Sequence, residues 1–152
     1  MLRHAWCRTA PSTLQRIRRE HSNAHFGTSE FWSAFYQKKR DRFEWFLSTP
    51  VAVCEFEQEL GDVRGAILHV GCGTSDLGYE LWSQTPGCTS VVNVDYSPEA
   101  IAIAQRQHDE RRLAAPSERH AMSFVQADCR ALSDAWRDRF ALIVDKGTLD
   151  AV

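Results

Sequence analysis

Residues 68–78 read Leu68-His69-Val70-Gly71-Cys72-Gly73-Thr74-Ser75-Asp76-Leu77-Gly78, and residues 91–95 read Val91-Val92-Asn93-Val94-Asp95. The first stretch is a short apolar run that breaks into a glycine-rich turn and then a helix start. The second is another apolar run that ends in a carboxylate, 22 residues after Gly73. A βαβ unit holds a nucleoside in this way: glycines let the backbone approach the ligand, and an acid at the end of the next strand grips ribose hydroxyls.

The third position of the dinucleotide pattern G-x-G-x-x-G is Asp76 rather than glycine. An acid there is expected to repel a pyrophosphate at the helix N-terminus. The ligand therefore reads as a nucleoside without phosphates, and S-adenosylmethionine fits.

Outward from this unit, the pattern extends in both directions. Ala66–Val70 reads as a first strand, with Thr74 or Ser75 capping a helix that buries Leu77 and Leu81. Ser90–Asp95 is a second strand. Ser97-Pro98-Glu99 opens a helix with a cap, an N1 proline and an acid in the first turn; it is expected to bury Ile101 and Ala104. Met122–Gln126 is a third strand, Ala131–Trp136 a short helix, and Phe140–Val144 a fourth strand ending at Asp145. Continuous apolar strands alternating with helices imply an α/β fold with a Rossmann-like, doubly wound, mostly parallel sheet. Upstream, Phe31, Trp32, Phe35 and Tyr36 share one helical face with Thr28 or Ser29 as cap. Pro50 opens a helix whose apolar face is Val53, Phe56 and Leu60, with Gly61 as its stop.

Composition is that of an ordinary globular domain, with 43% apolar and 25% charged residues. No apolar run approaches the roughly 20 residues needed to span a membrane. The five cysteines are scattered without C-x-x-C pairs or metal spacing, so no metal is expected. Residues 1–20 hold five arginines against Glu20 alone, while the whole chain carries −2, which leaves an acidic body of −6. Such a body is a poor partner for nucleic acid. The arginine-rich, Ser/Thr-bearing leader has no acid before Glu20. Residues 1–25 therefore read as a mitochondrial transit peptide, with a disordered basic tail as the alternative. Residues 26–152 form the folded domain. The chain stops just after the fourth strand, so the expectation is a truncated product with an uncovered apolar edge.

These residues resemble a family. The glycine turn, Asn93-Val94-Asp95-Tyr96-Ser97, Gln126-Ala127-Asp128-Cys129 and, most specifically, Asp145-Lys146-Gly147-Thr148-Leu149-Asp150-Ala151 resemble a seven-strand (class I) S-adenosylmethionine-dependent methyltransferase. Phe26-Gly27-Thr28-Ser29-Glu30-Phe31-Trp32 and Phe43-Glu44-Trp45-Phe46 narrow the resemblance to the branch that methylates protein lysines and N-termini. It covers the cofactor half of the domain. The resemblance implies a protein substrate: citrate synthase in the mitochondrial matrix, or alternatively elongation factor 1A in the cytosol. A truncated, non-catalytic cofactor-binding or scaffold protein is the alternative of a different class.

The resemblance implies cofactor contacts from Gly71, Gly73, Ser75, Asp95, Tyr96, Asp128 and Cys129. Asp95 would take both ribose hydroxyls as a charge-assisted acceptor; Asp128 would accept from the adenine amino group, beside the backbone of Cys129. Family members often carry an acid two residues before the first glycine, where this chain has His69. Asp145 and Asp150 flank the expected methyl-transfer point and are the catalytic candidates, able to orient the amine or take its proton; a strand-end cap and a solvated surface acid are the competing roles. Phe31, Trp32, Trp45 and Phe46 either close over the cofactor or pack on the sheet.

Overall fold

The computed structural model describes residues 3–6, 26–45, 47–114 and 121–149. Its centre is a parallel sheet. The strands are β1 (Arg3–Trp6), β2 (Gly65–Val70), β3 (Cys88–Asp95), β4 (Met122–Gln126) and β5 (Phe140–Asp145), in the order β1-β5-β2-β3-β4. The four strands expected from the apolar runs are β2 to β5. β4 is only partly buried, whereas the central residues of β2, β3 and β5 are buried, with Ile67, Val91, Val94, Leu142 and Val144 each 0% exposed. Each such side chain contributes about 1.5–3 kcal/mol of burial.

The helices are α1 (Ser29–Lys38), α2 (Thr49–Glu55), α3 (Glu57–Gly61), α4 (Leu77–Gln84) and α5 (Pro98–Ala114). Val53, Phe56 and Leu60 are buried as the pattern requires, but the helix breaks at Phe56 into α2 and α3. Thr28 caps α1, accepting from Phe31 N. The N-cap of α4 is Asp76 rather than Thr74 or Ser75, although the Ser75 hydroxyl just before it accepts from Leu77 N at 3.1 Å; Ser97 caps α5, accepting from Ala100 N at 3.2 Å. The buried face of α5 is Ala100, Ile103, Ala104 and His108 rather than Ile101. The helix turns Ile103 toward Tyr36 of α1, and Ile101 is only half-buried.

One face of the sheet packs Ile67, Val91, Leu142 and Val144 against α2, α3 and α4. The other presents Leu68, Val70 and Val94, packed by Leu132, Trp136, Phe140 and Ile143. The segment expected as a short helix at 131–136 is two 3-10 turns, Cys129–Ala131 and Asp134–Trp136. Asp128 and Ser133 each cap the start of one by accepting from a backbone N–H two residues on.

Two further points concern the edge. The outer side of β5 is not bare, because Arg3–Trp6 pairs with it in parallel, Arg3 opposite Leu142 and Trp6 opposite Asp145. An extended backbone within reach satisfies the open N–H and C=O row of an edge strand. The rest of the arginine-rich leader lies outside the described residues.

The chain winds from β2 through α4 to β3 and through α5 to β4, then returns to place β5 on the other side of β2. That reversal opens a crevice at the carboxyl ends of the strands, where open α/β sheets bind ligands.

Candidate active site

The crevice is a cleft of about 600 Å³, part of it open to solvent. Its floor comes from the ends of four strands: Gly71 after β2, Asp95 and Tyr96 after β3, Ala127–Cys129 after β4, and Lys146–Thr148 after β5. Its wall is aromatic, built by Trp32 and Tyr36 of α1 and by Trp45. Trp32 and Trp45 meet edge to face, ring centroids 5.2 Å apart. The aromatic residues left open between packing and cofactor closure thus divide. Trp32 and Trp45 line the cleft, whereas Phe31 packs behind them on Phe26 and Phe35. Phe46 lies outside the described residues.

Asp95 is 7% exposed. Its Oδ2 accepts from Gly73 N and its Oδ1 from Ser97 N, both at 2.9 Å. Burial pushes its carboxyl up, and the amides of Ser97, Gly73 and Tyr96 pull it back. Each carboxylate oxygen has two lone-pair sites. With one amide on each, acceptor capacity remains on both oxygens for a vicinal diol. Tyr96 sits alongside, its hydroxyl 3.1 Å from the carbonyl oxygens of both Phe26 and Thr28. Burial, then the Asp95 charge, pushes its phenol up to about 12, so it stays a neutral donor.

The glycines serve the protein's own packing first. Gly71 and Gly73 have φ of 58° and 51°. A Cβ at Gly71 would strike the Thr148 side chain, and one at Gly73 the Tyr36 hydroxyl. Gly71 lines the cleft; Gly73 does not, because its N–H is already donated to Asp95. Ser75 also stands outside the lining. Its hydroxyl donates to Glu44 Oε2 at 2.8 Å, and this carboxylate draws it away from the cleft.

Asp128 and Cys129 line the cleft as expected. Asp128 is paired with Arg130, whose Nη2 lies 2.6 Å from Oδ2. The Arg130 side chain, then its backbone amide, holds the Asp128 carboxyl below the usual range. The Cys129 thiol is raised by burial and then by the charges of Asp128 and Asp145, so it is a packing surface rather than a nucleophile.

Asp145 does not line the cleft. Its Oδ1 accepts from Thr148 N at 3.1 Å and Leu149 N at 3.3 Å, which fixes the turn after β5. The structure gives it the strand-end role. Asp150 lies outside the described residues.

His69 and Asp76 point elsewhere. His69 is 1% exposed, with Nδ1 3.0 Å from Asn93 Oδ1. Since that oxygen only accepts, Nδ1 carries the proton. Burial lowers the His69 pKa to about 4, so the ring is neutral at physiological pH. Asp76, expected to repel phosphate, is neutralised by Arg42 and Arg111 on the far side of the glycine turn. The anion at the start of α4 is instead Glu44, whose Oε1 accepts from Asp76 N at 3.1 Å.

Sequence reading missed Glu44, Tyr36 and Lys146. Lys146 is buried, yet its Nζ reaches Glu44 Oε2 at 2.6 Å and the carbonyl oxygens of Trp45 and Leu47 at 3.2 Å. Burial alone would raise the Glu44 carboxyl, but Lys146, Thr49 and Ser75 together hold it below its usual range. Both charges sit inside quoted motifs, but their partnership spans 102 residues and leaves no local trace.

The geometry is that of a nucleoside site, and comparison with known proteins agrees. Residues 67–152 match the methyltransferase domain family. The chain belongs to that family. The eEF1A lysine and N-terminal methyltransferase of Mus musculus is 34% identical over 134 residues, covering 86% of this chain and 17% of that protein. The mitochondrial citrate synthase-lysine N-methyltransferase of Danio rerio is 29% identical over 133 residues, covering 80% of this chain and 52% of that protein. The chain thus spans at most about half the length of these relatives. Among solved structures, the glycopeptide N-methyltransferase MtfA superposes with a TM-score of 0.53 at 19% identity, over 78% of this chain and 48% of that one. The SAH-bound Podospora anserina methyltransferase PaMTH1 gives 0.51 at 15%, over 96% and 65%. At these identities the likeness is one of fold.

S-adenosylmethionine is the cofactor of this family, and the residues present fit it. The buried, amide-anchored Asp95 suits a ribose diol, and the Tyr96–Cys129 side of the cleft suits a purine. Among the described residues no cluster of three or more His, Cys, Asp or Glu could hold a metal ion, and no helix is long and apolar enough to cross a membrane.

Proposed function

We propose that this chain forms the cofactor-binding half of an S-adenosylmethionine-dependent methyltransferase that acts on a lysine side chain of a protein. The observation that carries the reading is Asp95, buried at the end of β3 with both oxygens oriented by backbone amides and facing an aromatic cleft. When bound, the cofactor supplies a methyl group on a sulfonium. The chain's own residues bind and shield it: Asp95 holds the ribose, Asp128 and Tyr96 border the base, and Trp32, Tyr36 and Trp45 keep water from the cleft. A lysine acceptor must shed a proton, its unperturbed pKa being about 10.4, and apolar walls lower that value. Asp145 contributes by shaping the turn after β5 rather than by facing the cleft.

The leading substrate is citrate synthase in the mitochondrial matrix. The arginine-rich leader and the Danio rerio relative support it. The alternative is elongation factor 1A in the cytosol, supported by the Mus musculus relative. Incubating the full chain with labelled S-adenosylmethionine and each purified protein separates them. The half-domain by itself is expected to bind the cofactor and transfer little; label on citrate synthase alone would support the leading substrate, and label on elongation factor 1A alone would transfer the reading to the alternative. Cofactor binding with no trace of label on either would favour a non-catalytic binding protein.

A further inference from the structure

The wall of the cleft poses a problem of its own. Residues 39–48 join α1 to α2, and the described stretch 39–45 has no regular structure, yet it carries Trp45 against the ligand space. Loops of this kind are the mobile part of most domains unless side chains tie them down. Here the ties converge on two charges, the half-buried Glu44 and the buried Lys146. Glu44 reaches Thr49 Oγ1 at 2.7 Å, Ser75 Oγ at 2.8 Å, Asp76 N at 3.1 Å and Lys146 Nζ at 2.6 Å. Lys146 Nζ then donates to the carbonyl oxygens that flank the wall, those of Trp45 and Leu47. The Thr74 hydroxyl adds a clasp beside them, accepting from Phe43 N at 2.9 Å. One carboxylate and one ammonium thus join the loop, the glycine turn and the end of β5.

We propose that Glu44 and Lys146 are positioning residues that latch the 39–45 loop onto the sheet and so hold Trp45 as a wall of the cofactor cleft. The inference rests on the reading of the cleft as a cofactor site. Neither residue needs to react with anything. Lys146 lines the cleft, and its ammonium is engaged by three acceptors of the loop. Removing it takes from the half-buried Glu44 carboxylate its cationic partner and from the Trp45 and Leu47 carbonyls their ammonium donor, which loosens the loop toward water. Trp45 then swings free, and Trp32 loses the edge-to-face neighbour that faces it across the wall, keeping those at Phe31 and Phe35. The consequence falls on cofactor retention.

The test is calorimetric titration of the full 152-residue chain with S-adenosylhomocysteine, for wild type, Glu44→Gln, Lys146→Met and the double variant. Far-UV circular dichroism monitors the fold, and acrylamide quenching monitors tryptophan exposure. Either single variant is expected to weaken binding at least tenfold with a native spectrum and to increase quenching. A Trp45→Phe background is expected to remove most of that increase. The double variant is expected to bind no more weakly than the poorer single one, because both break the same latch. Single variants that bind within twofold of wild type would overturn the latch and leave the cofactor reading standing. Loss of the native spectrum in both single variants would also overturn it, making the pair an element of overall stability. Failure of the wild-type chain to bind would overturn the cofactor reading and the latch with it.

Discussion

Gly73 N donates to Asp95 Oδ2 at 2.9 Å, a bond that joins the glycine turn to the carboxylate at the end of the next strand. Turn and acid are therefore one unit. The amide orients the carboxylate, and the carboxylate satisfies an amide that faces no other strand. Replacing Asp95 by Ala removes the candidate ribose acceptor and orphans the Gly73 amide. A lost hydrogen bond to a charged group costs about 1.5–3 kcal/mol, so S-adenosylhomocysteine should bind at least tenfold more weakly. Isothermal titration measures this, and an unchanged dissociation constant would remove Asp95 from the ribose role.

Ligand choice follows from Glu44 rather than from Asp76, on which the sequence argument relied. The start of α4 already holds the Glu44 carboxylate, and Asp76 is neutralised by two arginines. A pyrophosphate would have to displace a half-buried anion that is hydrogen-bonded and ion-paired at that helix end. The chain should bind S-adenosylmethionine in preference to NAD by competition titration. Tighter NAD binding would contradict both the site assignment and this account of it.

The glycine turn makes a steric prediction. At Gly73 the nearest obstacle to a Cβ is the Tyr36 hydroxyl, and the ring carbon behind it lies 3.4 Å away. Gly73→Ala should destabilise the fold by a collision plus about 1–2 kcal/mol of left-handed backbone strain. Adding Tyr36→Phe removes the colliding oxygen and should restore the collision part only. Thermal denaturation of the three variants reads the difference. A double variant no more stable than Gly73→Ala would show that the backbone term is the whole effect.

His69 makes a prediction about acid. Its pKa falls from 6.5 to about 4 on folding because burial disfavours the charged ring. The unfolded chain binds the proton more readily. The contribution to stability is therefore complete above pH 6.5 and lost progressively as pH falls toward 4. It amounts to at most about 3 kcal/mol. Urea titrations at pH 7.5 and pH 5 should show this loss, and a His69→Gln variant, which keeps a donor for Asn93, should show less of it. Equal pH dependence in both would point to another group.

Much of this was legible in the chain, and the reasons differ by element. β2, β3 and β5 were legible because buried parallel strands read as unbroken apolar runs. Asp95 was legible as a strand-end acid because it closes an apolar run 22 residues after Gly73, whose amide it accepts. The α5 face was misplaced by two residues, since Ile101 and Ile103 are equally apolar and only the packing partner on α1 chooses between them. The Glu44–Lys146 pair was hidden among aromatics, its meaning set by a partner 102 residues away. β1 was hidden for another reason: Arg3–Trp6 has no apolar run, and what places it is backbone pairing with β5, far along the chain.

That pairing yields the last prediction. Backbone pairing between β1 and β5 runs over Arg3–Trp6 and Leu142–Asp145. If residues 1–25 act as a targeting leader that is removed on import, β5 loses this neighbour and presents its outer N–H and C=O row. Open edges beside buried apolar residues pair with other chains. Residues 26–152 expressed alone should therefore sediment partly as dimers or larger species at micromolar concentration, whereas residues 1–152 should remain smaller. A reporter fused behind residues 1–25 should colocalise with a matrix marker, and diffuse cytosolic signal would count against the leader. A monodisperse 26–152 fragment with the same melting temperature as the longer chain would show that the edge is protected by something other than Arg3–Trp6.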